Sequence, residues 1–244
     1  MVTVALVGPD GAGKSTVAKR VVATLPFPSY YIYMGVNLES GSTMLPTTRL
    51  ALAVKRSRGG SGEMTPQTAE PSAVDAGTAA PARRRRGPLR SIRSGLRMAN
   101  WLAEEWFRLG IATFHERRGQ VVVFDRHFFC DYYAYDVVDR GPGRSLASRV
   151  HGANLRRLYP KPDLVIMLDA PAEVFFARKG EGTVESLERR RQEYLAQADL
   201  FRRFVVVDAR QPTEAVVADV RDRIAEFVRG APVRTMTALP DDRA

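Results

Sequence analysis

The chain has 244 residues, 45% of them hydrophobic, and a net charge of +10. That is enough for one α/β domain with extensions or for two small domains with a full core. The single cysteine, Cys130, excludes an internal disulfide and suits a reducing cytoplasmic location, and no apolar run approaches the roughly 20 residues of a membrane span.

Val2-Thr3-Val4-Ala5-Leu6-Val7 reads as a first strand, so the chain opens without a leader peptide. Gly8-Pro9-Asp10-Gly11-Ala12-Gly13-Lys14-Ser15-Thr16 follows, and then a helical pattern of Val17, Ala18, Val21, Val22 and Leu25. Ser29-Tyr30-Tyr31-Ile32-Tyr33 reads as a second strand. Residues 57–88 are rich in Gly, Ser, Thr, Ala and Pro, lack an apolar period and end in Arg83-Arg84-Arg85-Arg86. Such a composition buries too little surface to offset ordering, so a disordered basic insert is expected, with a reach of ~30 Å. Residues 49–97 hold eleven Arg or Lys against three acids, so eight of the ten surplus charges lie there.

Leu89, Ile92, Leu96, Ala99, Leu102, Trp106 and Leu109 fall at steps of three or four and predict an amphipathic helix over 89–118, stopped by Gly119. Trp101, Trp106 and Phe107 are expected to pack it against the sheet. Val121-Val122-Val123-Phe124 suits a buried parallel strand. A helix over 144–158, a strand over 163–169, helices over 171–178 and 184–202, a strand over 204–208 and a helix from Pro212 to Val228 complete the pattern. Apolar strands alternating with helices predict a parallel sheet covered on both faces. The domain is expected to span 1–229, with 230–244 a flexible tail.

The chemistry begins at the glycine loop, which fits G-x-x-x-x-G-K-[ST] between a strand and a helix. Gly8, Gly11 and Gly13 let the backbone curl around an anion, its N–H groups inward and the helix N-terminus behind them. Lys14 supplies a mobile charge for β- and γ-phosphates, and the Ser15 hydroxyl can ligate Mg²⁺. Asp125-Arg126-His127 stands at the carboxyl end of a buried strand, where such sheets bind ligands. There Asp125 can orient Mg²⁺ and Arg126 can neutralise phosphate. Ala177-Arg178-Lys179-Gly180-Glu181, with Arg189-Arg190-Arg191 beyond it, reads as a basic lid. Asp208-Ala209-Arg210-Gln211-Pro212 can sit over an adenine ring. His115, His127 and His151 have no ligand spacing and default to packing, and Cys130 to a small buried hydrophobe.

In order and spacing, these stretches resemble the thymidylate kinase family of P-loop nucleotide kinases, over residues 1–35 and 98–229. The resemblance rests on G-P-D-G-A-G-K-S-T (8–16), F-D-R-H (124–127), P-D-L-V-I-M-L-D-A-P-A-E (162–173), A-R-K-G-E (177–181) and D-A-R-Q-P (208–212). It implies a P-loop NTPase-type three-layer α/β fold with a five-stranded parallel sheet, use of ATP with Mg²⁺, and transfer of the γ-phosphoryl group. It also implies that Asp10 contacts the acceptor, that Arg126 bridges acceptor and donor, and that a homodimer forms through helices such as 89–118. Two positions depart from the family. Its Arg-Glu-Pro stretch after the second strand is Tyr33-Met34-Gly35-Val36-Asn37 here. Its substrate-contacting arginine on the next helix is matched only by Glu104 and Glu105, with Arg108 one turn on. Those carboxylates read as helix-surface groups, with acceptor hydroxyl binding or base chemistry as the other reading.

The expected roles follow. Lys14, Arg126, Arg178 and Asp125 are the catalytic set. Gly8, Asp10, Gly11, Ala12, Gly13, Lys14, Ser15, Thr16 and Arg210 hold the nucleotide, and Ser15 and Asp125 the Mg²⁺. The acceptor stays open among a nucleotide, a nucleoside, a sugar or another hydroxyl compound. A P-loop regulator that binds nucleotide without transfer is the rival class, and Arg83 to Arg97 offer sequence-blind contact with nucleic acid or an acidic membrane.

Overall fold

The computed structural model describes residues 2–35, 44–57, 88–138 and 146–230. The strands are β1 (Val2–Val7), β2 (Ser29–Tyr33), β3 (Val121–Asp125), β4 (Leu164–Asp169) and β5 (Phe204–Asp208). The helices are α1 (Lys14–Thr24), α2 (Pro46–Ser57), α3 (Pro88–Arg117), α4 (Phe128–Tyr133), α5 (Leu146–Arg157), α6 (Ala172–Lys179), α7 (Val184–Leu195) and α8 (Thr213–Val228). A π-helical turn, Ala134–Val138, follows α4, and a 3-10 turn, Ala198–Leu200, precedes β5. The chain divides into two compact units: one of Met1–Gly35, Ile111–Asp131 and Pro160–Ala244, the other of Val36–Gly110 and Tyr132–Tyr159.

The first unit holds the sheet, whose strands lie in the order β2-β3-β1-β4-β5 and pair in parallel throughout. It is an α/β architecture of the Rossmann or P-loop kind. Strand residues alternate in direction, and two sets result. Val4, Leu6, Val121, Val123, Ile166, Leu168, Val205 and Val207 join Val17, Ala18 and Val21 of α1 and Val220 and Ile224 of α8 in one apolar cluster. The alternate residues Ala5, Val7, Val122, Phe124, Val165 and Met167 are buried as well, so both faces of the sheet are covered. Such two-sided burial explains the nearly unbroken apolar strands. β1 sits between β3, which the chain enters before crossing over, and β4, which it enters afterwards. The loop after β1 therefore stands at the topological switch point, where open α/β sheets bind ligands.

All five expected strands form, with β4 starting one residue late. The helix expected over 184–202 is shorter. Thr183 opens it with a reciprocal cap, its hydroxyl accepting from Ser186 N–H at 3.1 Å and its own N–H donating to Ser186 Oγ at 3.0 Å. It ends at Leu195, and the chain tightens into the 3-10 turn before the strand. The insert assigned to 57–88 and the tail assigned to 230–244 fall almost wholly outside the described residues.

In the second unit, Trp101, Trp106 and Phe107, expected to pack the long helix against the sheet, differ in burial. Trp101 is 4% exposed, but Trp106 and Phe107 are 42% and 38% exposed. α3 instead buries Glu104, Glu105 and Arg108, which occupy the turn between Trp101 and Leu109. No helix among the described residues is long and apolar enough to cross a membrane.

Candidate functional site

The loop from Gly8 to Lys14 is shaped by backbone that only glycine adopts without strain. Gly8, Gly11 and Gly13 have φ of 145°, 88° and 82°. A Cβ on Gly8 would stand 2.7 Å from the Leu168 carbonyl oxygen, and one on Gly11 would overlap the Phe175 carbonyl. At Gly13, the N-cap of α1, a Cβ meets nothing within 4 Å. Gly11→Ala should therefore melt well below Gly13→Ala, by about 1–3 kcal/mol of strain beyond the shared cost of positive φ. Equal melting of the two would show that the carbonyl of Phe175 does not hold the loop.

Lys14 opens α1 and is folded back on its own loop. Its ammonium donates to the carbonyl oxygens of Gly8 and Pro9, each at 2.7 Å, and is almost wholly buried. Burial, with the charge of Arg126 next, pushes its pKa down to about 8. Ser15 and Thr16 are exposed on the first helical turn, and Ala12 is buried under the loop.

β3 carries the next group. Asp125 is fully buried; its Oδ2 accepts from the Tyr31 hydroxyl at 2.8 Å, and its Oδ1 has no hydrogen-bond partner. Arg126 follows at φ 69°, the one described non-glycine residue at positive φ. Its backbone N–H donates to Leu6 O at 3.1 Å, and its guanidinium meets Asp10 Oδ1 at 2.5 Å. A left-handed arginine costs about 1–2 kcal/mol and turns the side chain out of strand register toward the glycine loop.

Asp10 is thus ringed by cations. Arg126 touches it, Lys179 stands at 3.8 Å and Lys14 at 4.0 Å. Burial alone would raise its carboxyl, but these three charges outweigh burial and hold it far below the usual carboxylate range. Three positive groups thus gather around one carboxylate at a helix N-terminus, an arrangement whose charge favours anions.

Of the remaining expected residues, Arg210 lies after the last strand, as read, and Arg178 turns to the same loop. Arg178 donates to Ala209 O at 2.8 Å, and Arg210 grips Asp208 through Nε and Nη2, each at 3.0 Å. Both lie by the loop after β5, whereas Lys179, outside the expected catalytic set, faces Asp10. The neighbouring positions were legible as a pair in Arg178-Lys179; the helix decides which one turns to the loop. Of the arginine triplet, Arg191 makes a two-toothed contact with buried Asp169, at 2.6 and 3.0 Å. Arg190 reaches Asp131 O at 2.5 Å and Glu193 at 2.9 Å, and Arg189 is exposed. Cys130 and His127 are buried; burial pushes the thiol up and the imidazole down to about 3.

The second unit has a polar cluster of its own, which corrects two expectations. Glu104 and Glu105 are buried rather than on the helix surface, at 1% and 0% exposure. Glu104 accepts from Arg108 Nε at 2.8 Å and from Leu45 N–H at 3.0 Å. Glu105 accepts from Trp101 Nε1 at 2.7 Å. His151, expected only to pack, lies between Glu105 at 2.7 Å and Asp136 at 2.6 Å, one carboxylate at each ring nitrogen. Asp136, in the π-helical turn, also accepts from Ser148 Oγ at 2.5 Å. An imidazole with a carboxylate at both nitrogens satisfies both only when doubly protonated. Burial opposes that charge, but the bonds to Asp136 and Glu105 outweigh it and raise His151 to about 9.

Among the described residues no three His, Cys, Asp or Glu gather as a metal site. Mg²⁺ bound with nucleotide needs no such group: one or two protein oxygens suffice, the rest coming from phosphate and water. The unpartnered, buried Oδ1 of Asp125 and the exposed Ser15 hydroxyl fit that requirement.

No family model matches the chain. A protein of Archaeoglobus fulgidus described as "Probable thymidylate kinase" is 32% identical over 117 residues, which cover 45% of this chain and 56% of that protein. The match thus spans little more than half the length of that relative.

Proposed function

We propose that the chain is a P-loop phosphotransferase that moves the γ-phosphoryl group of Mg-ATP to a nucleotide or nucleoside acceptor. The observation that carries this reading is the convergence of Lys14, Arg126 and Lys179 on Asp10 beside a loop whose Gly8 and Gly11 leave no room for a Cβ. The partial likeness to a protein described as a thymidylate kinase supports the same class.

ATP would bring the transferable phosphoryl group, and Mg²⁺, when bound with it, would neutralise phosphate charge. The residues of the chain do the positioning. N–H groups of the loop from Gly8 through Ala12 and Gly13 to Thr16, with the Lys14 ammonium, hold the β- and γ-phosphates. Ser15 and Asp125 would hold Mg²⁺. Arg126 meets the charge on the transferring group, with Lys179 beside it and Arg178 on the same helix as a further lid cation. Asp10 binds the acceptor, and Arg210 flanks the adenine. The transition state is loose and highly charged, so positioned cations account for most of the acceleration.

A non-nucleotide hydroxyl acceptor, such as a sugar, is favoured by one observation. The Arg108 Nε is already bonded to buried Glu104, so the arginine nearest the family's substrate-contacting position is held inside the unit. An acceptor phosphate lacking such a partner loses a charge-assisted bond.

ADP release should be measured on the full chain with Mg-ATP and, side by side, nucleoside monophosphates, nucleosides and sugars. Acceptor-dependent ADP with a nucleoside or its monophosphate is the expected result, and a response to sugars alone selects the second acceptor class. Tight Mg-ATP binding without transfer to any of them would mean a nucleotide-binding regulator. Failure to bind purine triphosphate in a magnesium-dependent way would overturn the proposal.

A further inference from the structure

Asp125 ends β3 and is the only carboxylate on that strand. Its backbone is fixed on both sides. In register it lies beside Leu6 of β1 and Tyr33 of β2, and its carbonyl accepts from Met34 N–H at 3.0 Å. None of this fixes the rotation of the carboxylate about its last bond, which is soft. A carboxylate that must offer one chosen oxygen to a cation needs a second group to hold the other.

We propose that Tyr31 is that group, a positioning residue for the Mg²⁺-bearing face of Asp125. Tyr31 precedes Tyr33 by two on β2, so both side chains leave the same face of the sheet. From there the phenol spans the diagonal to Asp125 and donates to Oδ2 at 2.8 Å. Oδ1 is left as the buried oxygen without a protein partner. The Lys14 ammonium feels the charge of Asp125, which ties this carboxylate to the phosphate loop. The ring of Tyr31 is held in turn by Lys19 of α1, whose ammonium lies 5.8 Å from the ring centroid. Tyr31 does not touch the reacting atoms; it selects which lone pairs of Asp125 remain for the metal shell and stops the carboxylate from turning. The inference rests on the phosphotransferase reading, because that reading is what puts a metal beside Asp125.

The test uses the full chain, ADP and Mn²⁺, with free Mn²⁺ followed by electron paramagnetic resonance, so that no turnover is needed. Tyr31→Phe removes only the hydroxyl. It should weaken Mn²⁺ binding to the ADP-bound protein by about 10–100-fold and leave affinity for metal-free ADP unchanged. Asp125→Asn should weaken Mn²⁺ binding as well. In that background Tyr31→Phe should add no further loss, because the hydroxyl acts only through the carboxylate. A merely structural tyrosine would lower melting and ADP affinity together, or add its effect to that of Asp125→Asn; either result overturns the proposal. Unchanged Mn²⁺ affinity in Tyr31→Phe overturns it too, and leaves the phosphotransferase reading standing. Wild-type protein that binds no Mn²⁺ with ADP overturns both.

Discussion

Arg126→Gly should lose about 10³–10⁵ in phosphoryl-transfer rate, the scale of a transition-state arginine, yet melt above Arg126→Ala. The two halves of this expectation come from different atoms. The guanidinium, 2.5 Å from Asp10, supplies charge at the glycine loop, where the proposed transfer needs it. The backbone, at φ 69°, costs any residue with a Cβ about 1–2 kcal/mol, which glycine avoids. Alanine loses the charge and keeps the strain; glycine loses both. Lys14→Met is the companion variant. It keeps the buried stem but removes the ammonium that bridges Gly8 O and Pro9 O, and should lower turnover at least about a hundredfold with the fold intact. Steady-state ADP release and thermal melting of the three variants check this. Turnover like wild type in Arg126→Gly and Lys14→Met would remove the roles assigned to these cations. A glycine variant that melts below the alanine variant would remove the account of strain.

The second large effect is on stability and lies in the other unit. His151→Ala should cost about 3–5 kcal/mol, the scale for removing one partner of a buried ion pair. The loss is large because Glu105 and Asp136, both essentially unexposed, would be left with no cation between them. Chemical denaturation should show it, and a variant within about 0.5 kcal/mol of wild type, the scale of ordinary surface changes, would exclude the imidazolium. The effect depends on pH with a definite sign. The folded pKa of about 9 lies above the ordinary 6.5, so the stabilisation is complete below pH 6.5 and is lost as pH rises through 9. Lys14 acts in the opposite sense: its folded pKa of about 8 lies below the ordinary 10.5, so its contribution rises with pH between those values. The wild-type profile therefore mixes the two. The difference between wild type and His151→Ala removes the Lys14 contribution, reports His151 together with Glu105, whose carboxyl is raised by burial, and should shrink steadily from pH 6.5 to 9.5.

The sheet and the glycine loop were legible because both are written locally. Four strands are apolar runs, and the loop's chemistry is spaced within nine residues. What the sequence hid was anything set by distant pairing. The sequence reading has no helix at α2, where Thr48 is fully buried while Leu50 and Val54 are 67% and 41% exposed, so burial there does not follow the apolar letters. The burial of Glu104 and Glu105 depends on Leu45 and His151, 59 and 46 residues away, and no local pattern encodes such partners. The choice of Lys179 over Arg178 at Asp10 turned on the phase of one short helix, which adjacent basic letters do not reveal. Tyr31 read as an ordinary strand residue, because its hydroxyl matters only through a carboxylate on the neighbouring strand.

The carboxylate–imidazole–carboxylate arrangement has a consequence for how this chain drifts among relatives. With one positive ring shared by two acids on different helical segments, no member of the trio can be exchanged alone without stranding the others. Across homologous sequences, positions 105, 136 and 151 should change together or not at all, and a lineage lacking the imidazole should carry an uncharged residue at one or both of the other two sites.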